Sequence, residues 1–171
     1  MTLVFDDGGK IERLMFLSRV VKKEINHLRY SANKIFKEPF TVERAKQLKS
    51  DEQLAEQLEA FVSRFCRLQD TLGDKLLPAW LEALGEKTNV AIENLDKAEK
   101  IGVLPSVELW IELRQLRNQM IHDYIEDLTI LSDALQTAYS HIDFVVGVAE
   151  SINKDITNRG LESISREKKS K

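Results

Sequence analysis

Residues 128–156 read LTILSDALQTAYSHIDFVVGVAESINKDI and carry the longest apolar rhythm of the chain. Apolar side chains recur there at intervals of three and four residues, at Leu128, Leu131, Leu135, Ala138, Ile142, Val145, Ala149, Ile152 and Ile156. Because an α-helix has about 3.6 residues per turn, this spacing places all of them on one face. The stretch therefore predicts a long amphipathic helix that other helices must cover.

The same spacing marks further helices on the N-terminal side of this stretch. In the first of them, Ser18 occupies the one slot of the apolar stripe that lacks an apolar residue. Thr41 is expected to cap a short helix, and Ser50 followed by Gln53 resembles a capping box. The segments together predict an all-α fold, an antiparallel bundle of four to five helices. The expected bundle helices cover residues 11–35, 54–72, 88–102, 106–124 and 128–156, with a short helical piece at residues 79–84.

Length and composition favour a single helical domain. A chain of 171 residues suffices for one well-buried core but not for two ordinary domains. The sequence contains only 7 glycines and 3 prolines, which favours long helices over a turn-rich sheet. We expect a flexible N-terminus over residues 1–9, the helical bundle over residues 10–156 and a frayed basic tail over residues 157–171.

Charge and cysteine content exclude several classes of function. The formal net charge is −3, so overall electrostatics do not draw the protein to nucleic acid, and any RNA binding must be local. Cys66 is the only cysteine, which excludes an internal disulfide and a thiolate-rich metal cluster. The histidines His27, His122 and His141 lie far apart in sequence, so we expect no metal and no cofactor.

The N-terminal residues lack the features of a targeting segment. Residues 1–9 include Asp6 and Asp7 and do not have the basic-then-apolar layout of a secretory signal. No apolar run of the sequence approaches the ~20 residues that span a bilayer. These features predict a soluble, cytoplasmic protein that makes no contact with a membrane.

Residues 117–124 read RNQMIHDY and combine three groups that are suited to phosphate chemistry. Arg117 offers a planar fork that is always charged, and His122 can gain or lose a proton near neutral pH. Tyr124 adds a hydroxyl group that can be modified. Considered singly, such residues are more often solvated or salt-bridged than functional, so the interpretation depends on all three together.

Residues 106–124 carry two separate apolar stripes on a helical wheel. The stripe expected to face the bundle core consists of Leu109, Leu113, Leu116 and Met120. The second stripe, which lies among arginines, consists of Trp110, Ile111 and Ile121. A monomer would leave much of the second stripe exposed to water. We therefore expect a homodimer with two-fold symmetry in which these helices face each other.

The same wheel separates Arg117 from His122 by about 140°. A single helix therefore does not readily bring both side chains to one point. In a two-fold dimer, Arg117 of one protomer can approach His122 of its partner across a shared cleft. His122 also lies near the expected end of its helix, where the carbonyl dipoles favour the imidazolium form and make proton donation easier.

The order Arg117, four residues, His122, one residue, Tyr124 resembles the signature of the HepT-type toxins within the HEPN superfamily. The polar Asn118 after the arginine and the helical context agree with this signature. The resemblance implies a dimeric helical bundle that cleaves RNA without a metal, with the Arg and His in the cleft between protomers. It also implies a toxin-antitoxin system of type II or type VII, in which a minimal nucleotidyltransferase antitoxin silences the toxin by transferring AMP to Tyr124.

We interpret Arg117 and His122 as a catalytic pair that Asn118 supports. His122 would exchange a proton with the ribose 2′-hydroxyl or with the leaving 5′-oxygen. Arg117 would bind the phosphate and stabilise the charge that develops in the transition state. Further candidate contacts to phosphate or RNA are Arg114, Arg64 and Arg67.

Two other classes of function fit the same residues. The chain could be a non-catalytic subunit that presents nucleotide or substrate to a nucleotidyltransferase, with Arg117 and His122 holding phosphate. It could also be an interaction module whose second apolar stripe docks a helical partner. Nucleotide binding without RNA cleavage would favour the first alternative. A monomer that pairs only with another chain would favour the second.

Overall fold

The structure, a computed structural model, describes residues 9–121 and 126–170. Every regular element in these two ranges is helical, which confirms the all-α prediction. None of the helices in these ranges combines the length and the apolar character needed to cross a membrane. The elements are α1 (Lys10–Ile35), α2 (Val42–Lys46), a 3-10 turn (Gln47–Lys49), α3 (Glu52–Thr71), a π-helical segment (Leu72–Leu76), α4 (Leu77–Ala83), α5 (Ala91–Ile101), α6 (Val107–Ile121), α7 (Leu128–Ser140), α8 (Ile142–Asn158) and α9 (Leu161–Lys169).

The chain forms two compact units. Within the described residues, the first unit takes in residues 9–23, 70–107 and 146–170. The second unit takes in residues 24–69, 108–121 and 126–145. The boundary falls inside α1, α3, α6 and α8, so neither unit corresponds to a separate stretch of sequence.

In the first unit, Ser18 shows why a polar residue occupies the apolar stripe of α1. The side chain is buried, and its hydroxyl donates to Asn153 Oδ1 over 2.6 Å. A buried hydroxyl without a partner would cost free energy, and this bond satisfies it. The interpretation of Ser18 as part of the buried stripe is confirmed.

Asp155 connects two parts of the first unit. Trp80 is fully buried in α4, and its Nε1 donates to Asp155 Oδ2 over 2.8 Å. The same oxygen accepts from Arg159 Nε over 2.8 Å. The bond from Trp80 connects α4 to α8, whereas the bond from Arg159 is a local contact at the end of α8.

The expected helix end at Gly73 is wrong. The chain continues as the π-helical segment Leu72–Leu76 and then as α4, which has Pro78 in its first turn. A proline in the first turn of a helix needs no N–H partner, so Pro78 permits a new helix to start. The chain therefore passes from α-helix to π-helix and back to α-helix over residues 71–77, where the sequence pattern predicts a break.

The long helix expected over residues 128–156 is interrupted at His141. It forms α7 and α8, with His141 between them. His141 Nδ1 lies 2.8 Å from the carbonyl oxygen of Thr137, so the imidazole can satisfy a carbonyl of the last turn of α7. Ala138 and Ile142 on either side are both buried, and the apolar rhythm continues across the interruption.

The segment expected to form a frayed tail, residues 157–171, contains a further helix in its described part. Gly160 adopts a left-handed conformation with φ 68°, and α9 follows it. Leu161, the first residue of α9, is buried. The left-handed glycine thus permits the turn after which α9 begins with a buried leucine.

An aromatic cluster in the second unit reaches from the buried Phe61 to the exposed Tyr139. The rings of Phe36 and Phe61 meet edge to face at 5.0 Å between centroids. Tyr139 stacks on the other side of Phe36 at 4.2 Å. In addition, Gln136 Nε2 donates to the carbonyl oxygen of Phe40 over 3.1 Å. These contacts connect the end of α1 with α3 and α7.

The predicted N-terminal cap residue is found at α2 but not at α3. Thr41 accepts a hydrogen bond from the backbone N–H of Arg44 over 3.2 Å, which confirms it as the cap of α2. For α3, the expected cap Ser50 is wrong. Asp51 Oδ1 accepts from the N–H of Leu54 over 2.9 Å, because α3 begins one residue later than the capping-box pattern requires.

Candidate functional site around helix α6

Helix α6 carries Arg117 and begins at a charged cap. Glu99 Oε2 accepts a hydrogen bond from the backbone N–H of Val107 over 2.7 Å. The preceding helix α5 ends at Gly102, which has φ 97° in the left-handed region. A carboxylate at a helix N-terminus satisfies a free N–H group and complements the helix dipole. The start of α6 is thereby fixed.

The buried stripe of α6 differs from the predicted one. The buried residues of α6 lie along one face of the helix. They are Val107, Trp110, Leu113 and Met120. Leu109 and Leu116, which the wheel placed toward the core, are only half-buried. The core-facing side of α6 is therefore rotated relative to the prediction, with Trp110 on it.

Trp110 is a core residue of the second unit. Its exposed fraction is 1%, and its carbonyl oxygen accepts a hydrogen bond from Gln69 Nε2 over 3.2 Å. Trp110 was expected to line a dimer interface among arginines. Because its ring is already covered within one chain, it is not available for that contact.

Arg117 lies on the same side of α6 as the buried stripe. On an ideal helix it is rotated by about 20° from Trp110 and by about 40° from Leu113. Its side chain is half-buried, whereas the apolar neighbours on this stripe are buried. Arginines at the edge of a core commonly cover their aliphatic stem with apolar neighbours and direct the charged head toward solvent.

A second stripe runs beside Arg117 along the same helix. It contains two candidate site residues and two candidate dimer contacts, spaced by three and four residues. They are Ile111, Arg114, Asn118 and Ile121. Ile111 and Arg114 are half-buried, and Asn118 is exposed. The exposed fraction of Ile121 is 44%. The predicted dimer contacts at Ile111 and Ile121 are thus on the accessible side of α6, next to the candidate polar groups.

His122 and Tyr124 lie outside the described residues. The predicted pairing of Arg117 with His122, the continuation of the helix through Tyr124 and the placement of the tyrosine hydroxyl therefore stay predictions. What the structure defines is the helix that leads to them, which ends at Ile121 in the described part of the chain.

Arg64 and Arg67, the candidate phosphate contacts on α3, differ in how they are held. Arg64 Nη1 donates to the carbonyl oxygen of His27 over 3.1 Å and to Ser31 Oγ over 2.6 Å. Arg67 is exposed, and its Nη2 makes a long bond of 3.4 Å to Ser63 Oγ. Arg64 therefore stabilises the packing of α3 on α1, while Arg67 is held only weakly. Their role as RNA contacts stays a prediction.

Nothing in the sequence pattern indicates that His27 lies near these arginines. In the structure, a pocket of about 160 Å³ in the second unit is lined by Glu24, His27, Arg64 and Arg67. Glu24 and His27 are three residues apart on α1, as are the two arginines on α3. Only the packing of the two helices brings these pairs together. No local sequence signal could have identified them as neighbours.

Metal-binding potential is low in the part of the chain that the structure describes. No group of three His, Cys, Asp or Glu side chains there is arranged to hold a metal ion. Cys66 is buried in α3. Since His122 lies outside this part of the chain, the expectation of no metal stays a prediction.

Comparisons with known proteins do not assign the chain to a family. No protein-family model matches it, and neither a curated protein nor a solved structure gives a significant match. The interpretation of function therefore depends on the chemistry of α6 and on the spacing of the residues that follow it.

Proposed function

We propose that this chain is a HEPN-like, homodimeric ribonuclease that cleaves RNA without a metal. The observation that carries the proposal is the position of Arg117. Arg117 is half-buried on the same side of α6 as the buried Trp110 and Leu113, so the core anchors its backbone while part of the residue stays accessible. A phosphate-binding arginine needs both properties, because a preorganised donor stabilises a transition state without first having to be ordered.

The proposed chemistry divides the work between two side chains. Arg117 binds the phosphate that is to be cleaved and stabilises the negative charge developing on its oxygens. His122 exchanges a proton with the ribose 2′-hydroxyl or with the leaving 5′-oxygen. Attack of the 2′-oxygen on phosphorus breaks the bond to the 5′-oxygen. The products are a 2′,3′-cyclic phosphate and a 5′-hydroxyl, and Asn118 orients a phosphate oxygen or the imidazole.

The proposed site is shared by two protomers of an antiparallel-bundle dimer. Two-fold symmetry places Arg117 of one protomer near His122 of its partner, which removes the difficulty that the two residues point in different directions on one helix. Apolar side chains on this side of the second unit support such a contact. The exposed fraction of Ile121 is 44%, and Ile111 is half-buried.

The proposed regulation acts through Tyr124. A minimal nucleotidyltransferase antitoxin transfers AMP to the phenol oxygen, which loses its proton while pyrophosphate leaves the ATP. The adenylate places a bulky anion two residues from His122. It then repels and occludes the RNA backbone. In this proposal the protein is the toxin of a type II or type VII toxin-antitoxin system.

RNA cleavage in the presence of a chelator tests the proposed function. Purified protein incubated with RNA and excess chelator is expected to produce fragments that end in a 2′,3′-cyclic phosphate and begin with a 5′-hydroxyl. Protein co-expressed with a cognate nucleotidyltransferase is expected to be inactive and to carry one adenylate on Tyr124 by mass spectrometry. The matched control is Tyr124→Phe, which should remain active after the same co-expression.

Each arm of this experiment has an outcome that contradicts the proposal. Intact RNA together with measurable binding of AMP would favour the non-catalytic subunit of a nucleotidyltransferase complex. A silenced protein with unmodified Tyr124 would contradict the regulatory part alone. Modification of Tyr139, whose exposed fraction is 41%, would show that the transferase does not select the predicted tyrosine.

A further inference from the structure

The pocket between α1 and α3 has the side chains of an anion-binding site. Arg64 and Arg67 face Glu24 and His27 across a volume of about 160 Å³. Two guanidinium groups and one carboxylate leave a net charge of about +1 when His27 is neutral. A pocket of this charge and composition matches a phosphate group, since arginine can contact two of its oxygens at once.

Arg64 is preorganised for binding. Its Nη1 is held by the carbonyl oxygen of His27 and by Ser31 Oγ, at 3.1 Å and 2.6 Å. Both partners lie on α1, so the guanidinium plane is fixed relative to the pocket wall. A donor that is already fixed loses little conformational entropy when a ligand binds.

Arg64 also lines a second hollow farther along the same groove. This hollow has a volume of about 230 Å³, and its other lining residues are Tyr30, Ser31, Lys34, Gln53, Glu56, Gln57 and Ala60. The Tyr30 ring has an exposed fraction of 63%, with Lys34 Nζ 5.8 Å from its centroid. An exposed aromatic ring offers a stacking surface for a nucleobase, and the amides of Gln53 and Gln57 can exchange hydrogen bonds with base edges.

We propose that the groove between α1 and α3 binds a nucleotide unit, with its phosphate in the pocket of Glu24, His27, Arg64 and Arg67 and its base against Tyr30. The shared ligand chemistry is a phosphate ester that carries an aromatic base. It is supplied either by a free nucleotide or by a single RNA strand. This site is separate from the proposed catalytic pair on α6, and it binds whether or not RNA is cleaved.

Two substitutions in the pocket are expected to change the affinity in opposite directions. Arg67→Ala removes one exposed guanidinium whose described hydrogen bond is a long one to Ser63, so the fold should be little affected. Binding of AMP is expected to weaken about tenfold, the effect of one lost charge-assisted bond. Glu24→Gln removes the carboxylate that repels phosphate, and binding is expected to tighten.

Titration of the full chain at constant ionic strength tests the proposal. The probes are inorganic phosphate, AMP and a short oligouridylate, with affinity measured by calorimetry and the His27 ring resonances followed by NMR. AMP or the oligonucleotide should bind more tightly than inorganic phosphate and shift the His27 signals. The tighter of the two identifies a free nucleotide or an RNA strand as the source.

The control substitution is Arg19→Ala, which removes an exposed arginine of α1 outside this groove. It should leave the affinity for AMP and for the oligonucleotide unchanged. Equal weakening by Arg19→Ala and Arg67→Ala would overturn the proposal, because binding would then depend on charge alone. Binding that leaves the His27 signals unmoved would overturn it as well. Loss of RNA cleavage in His122→Ala with unchanged AMP binding would separate this site from the proposed catalytic one.

Discussion

Replacing His122 with alanine is expected to lower the rate of RNA cleavage by about 10³-fold while the protein still folds and dimerises. Positioned general acid-base catalysis contributes about 10² to 10⁴ in rate, and no other imidazole lies within the RNQMIHDY segment to replace it. The rate should be measured with RNA in the presence of a chelator. The dimer should be checked by sedimentation in the same buffer.

The matched control for this variant is His141→Ala. His141 Nδ1 lies 2.8 Å from the carbonyl oxygen of Thr137 at the end of α7, and we assign it no contact with RNA. Its loss should lower the melting temperature slightly and leave the cleavage rate per folded molecule unchanged. A His122→Ala variant that cleaves RNA at the normal rate would dispose of the proposed mechanism.

Replacing Trp110 with alanine is expected to lower the free energy of unfolding by about 3 to 5 kcal/mol, the typical cost of truncating a buried large aromatic residue. Its exposed fraction is 1%, so the substitution leaves a cavity within one chain. For a protein of this size the melting temperature should fall by roughly 10 °C. Calorimetry or thermal circular dichroism measures the change.

Two further variants locate the origin of this loss. Trp110→Phe keeps most of the ring, and among the described residues the indole Nε1 has no hydrogen-bond partner to lose, so the loss should be much smaller. Ile121→Ala alters a side chain with an exposed fraction of 44%, so it should weaken dimerisation more than the stability of one chain. If Trp110→Ala left the monomer stable and only dissociated the dimer, Trp110 would be an interface residue as the sequence suggested.

The side of α6 that faces the core could not be derived from its sequence because apolar residues span more than half of the helical wheel. The polar residues define only the opposite, exposed side, and they are Glu108, Glu112, Gln115 and Gln119. In α1, by contrast, apolar residues from Val21 to Ile35 recur at intervals of three and four, and Ser18 is buried as that stripe predicts. Periodicity predicts the orientation of a helix only where one face is clearly polar.

Local features explain why one expected helix break is absent and why one interruption was not expected. Gly73 and Pro78 are residues that commonly end helices, but a π-helical turn carried the chain through them. At His141 the apolar rhythm has no gap, so nothing in the pattern indicated an interruption. The contact of His141 Nδ1 with the carbonyl oxygen of Thr137 depends on the three-dimensional geometry of the last turn of α7, which the apolar pattern does not describe.

The two candidate sites also differ in how far the sequence predicts them. Arg117 was identifiable because its partners follow it at short fixed intervals in one helix. The pocket of Glu24, His27, Arg64 and Arg67 joins residues from two helices, and its composition depends on how α1 and α3 pack. Sequence spacing can indicate a site whose residues lie in one short segment, but it says little about a site that two packed helices form.

Mixed dimers test the central claim, that Arg117 of one protomer works with His122 of its partner. Arg117→Ala and His122→Ala proteins, each inactive alone, are mixed, dissociated and allowed to pair again. Random pairing makes half of the dimers mixed, and each of these has one intact site of two, so about a quarter of the normal cleavage rate should return. If the mixture is no more active than the separate variants, the two residues do not form a site across the dimer, and the account is contradicted.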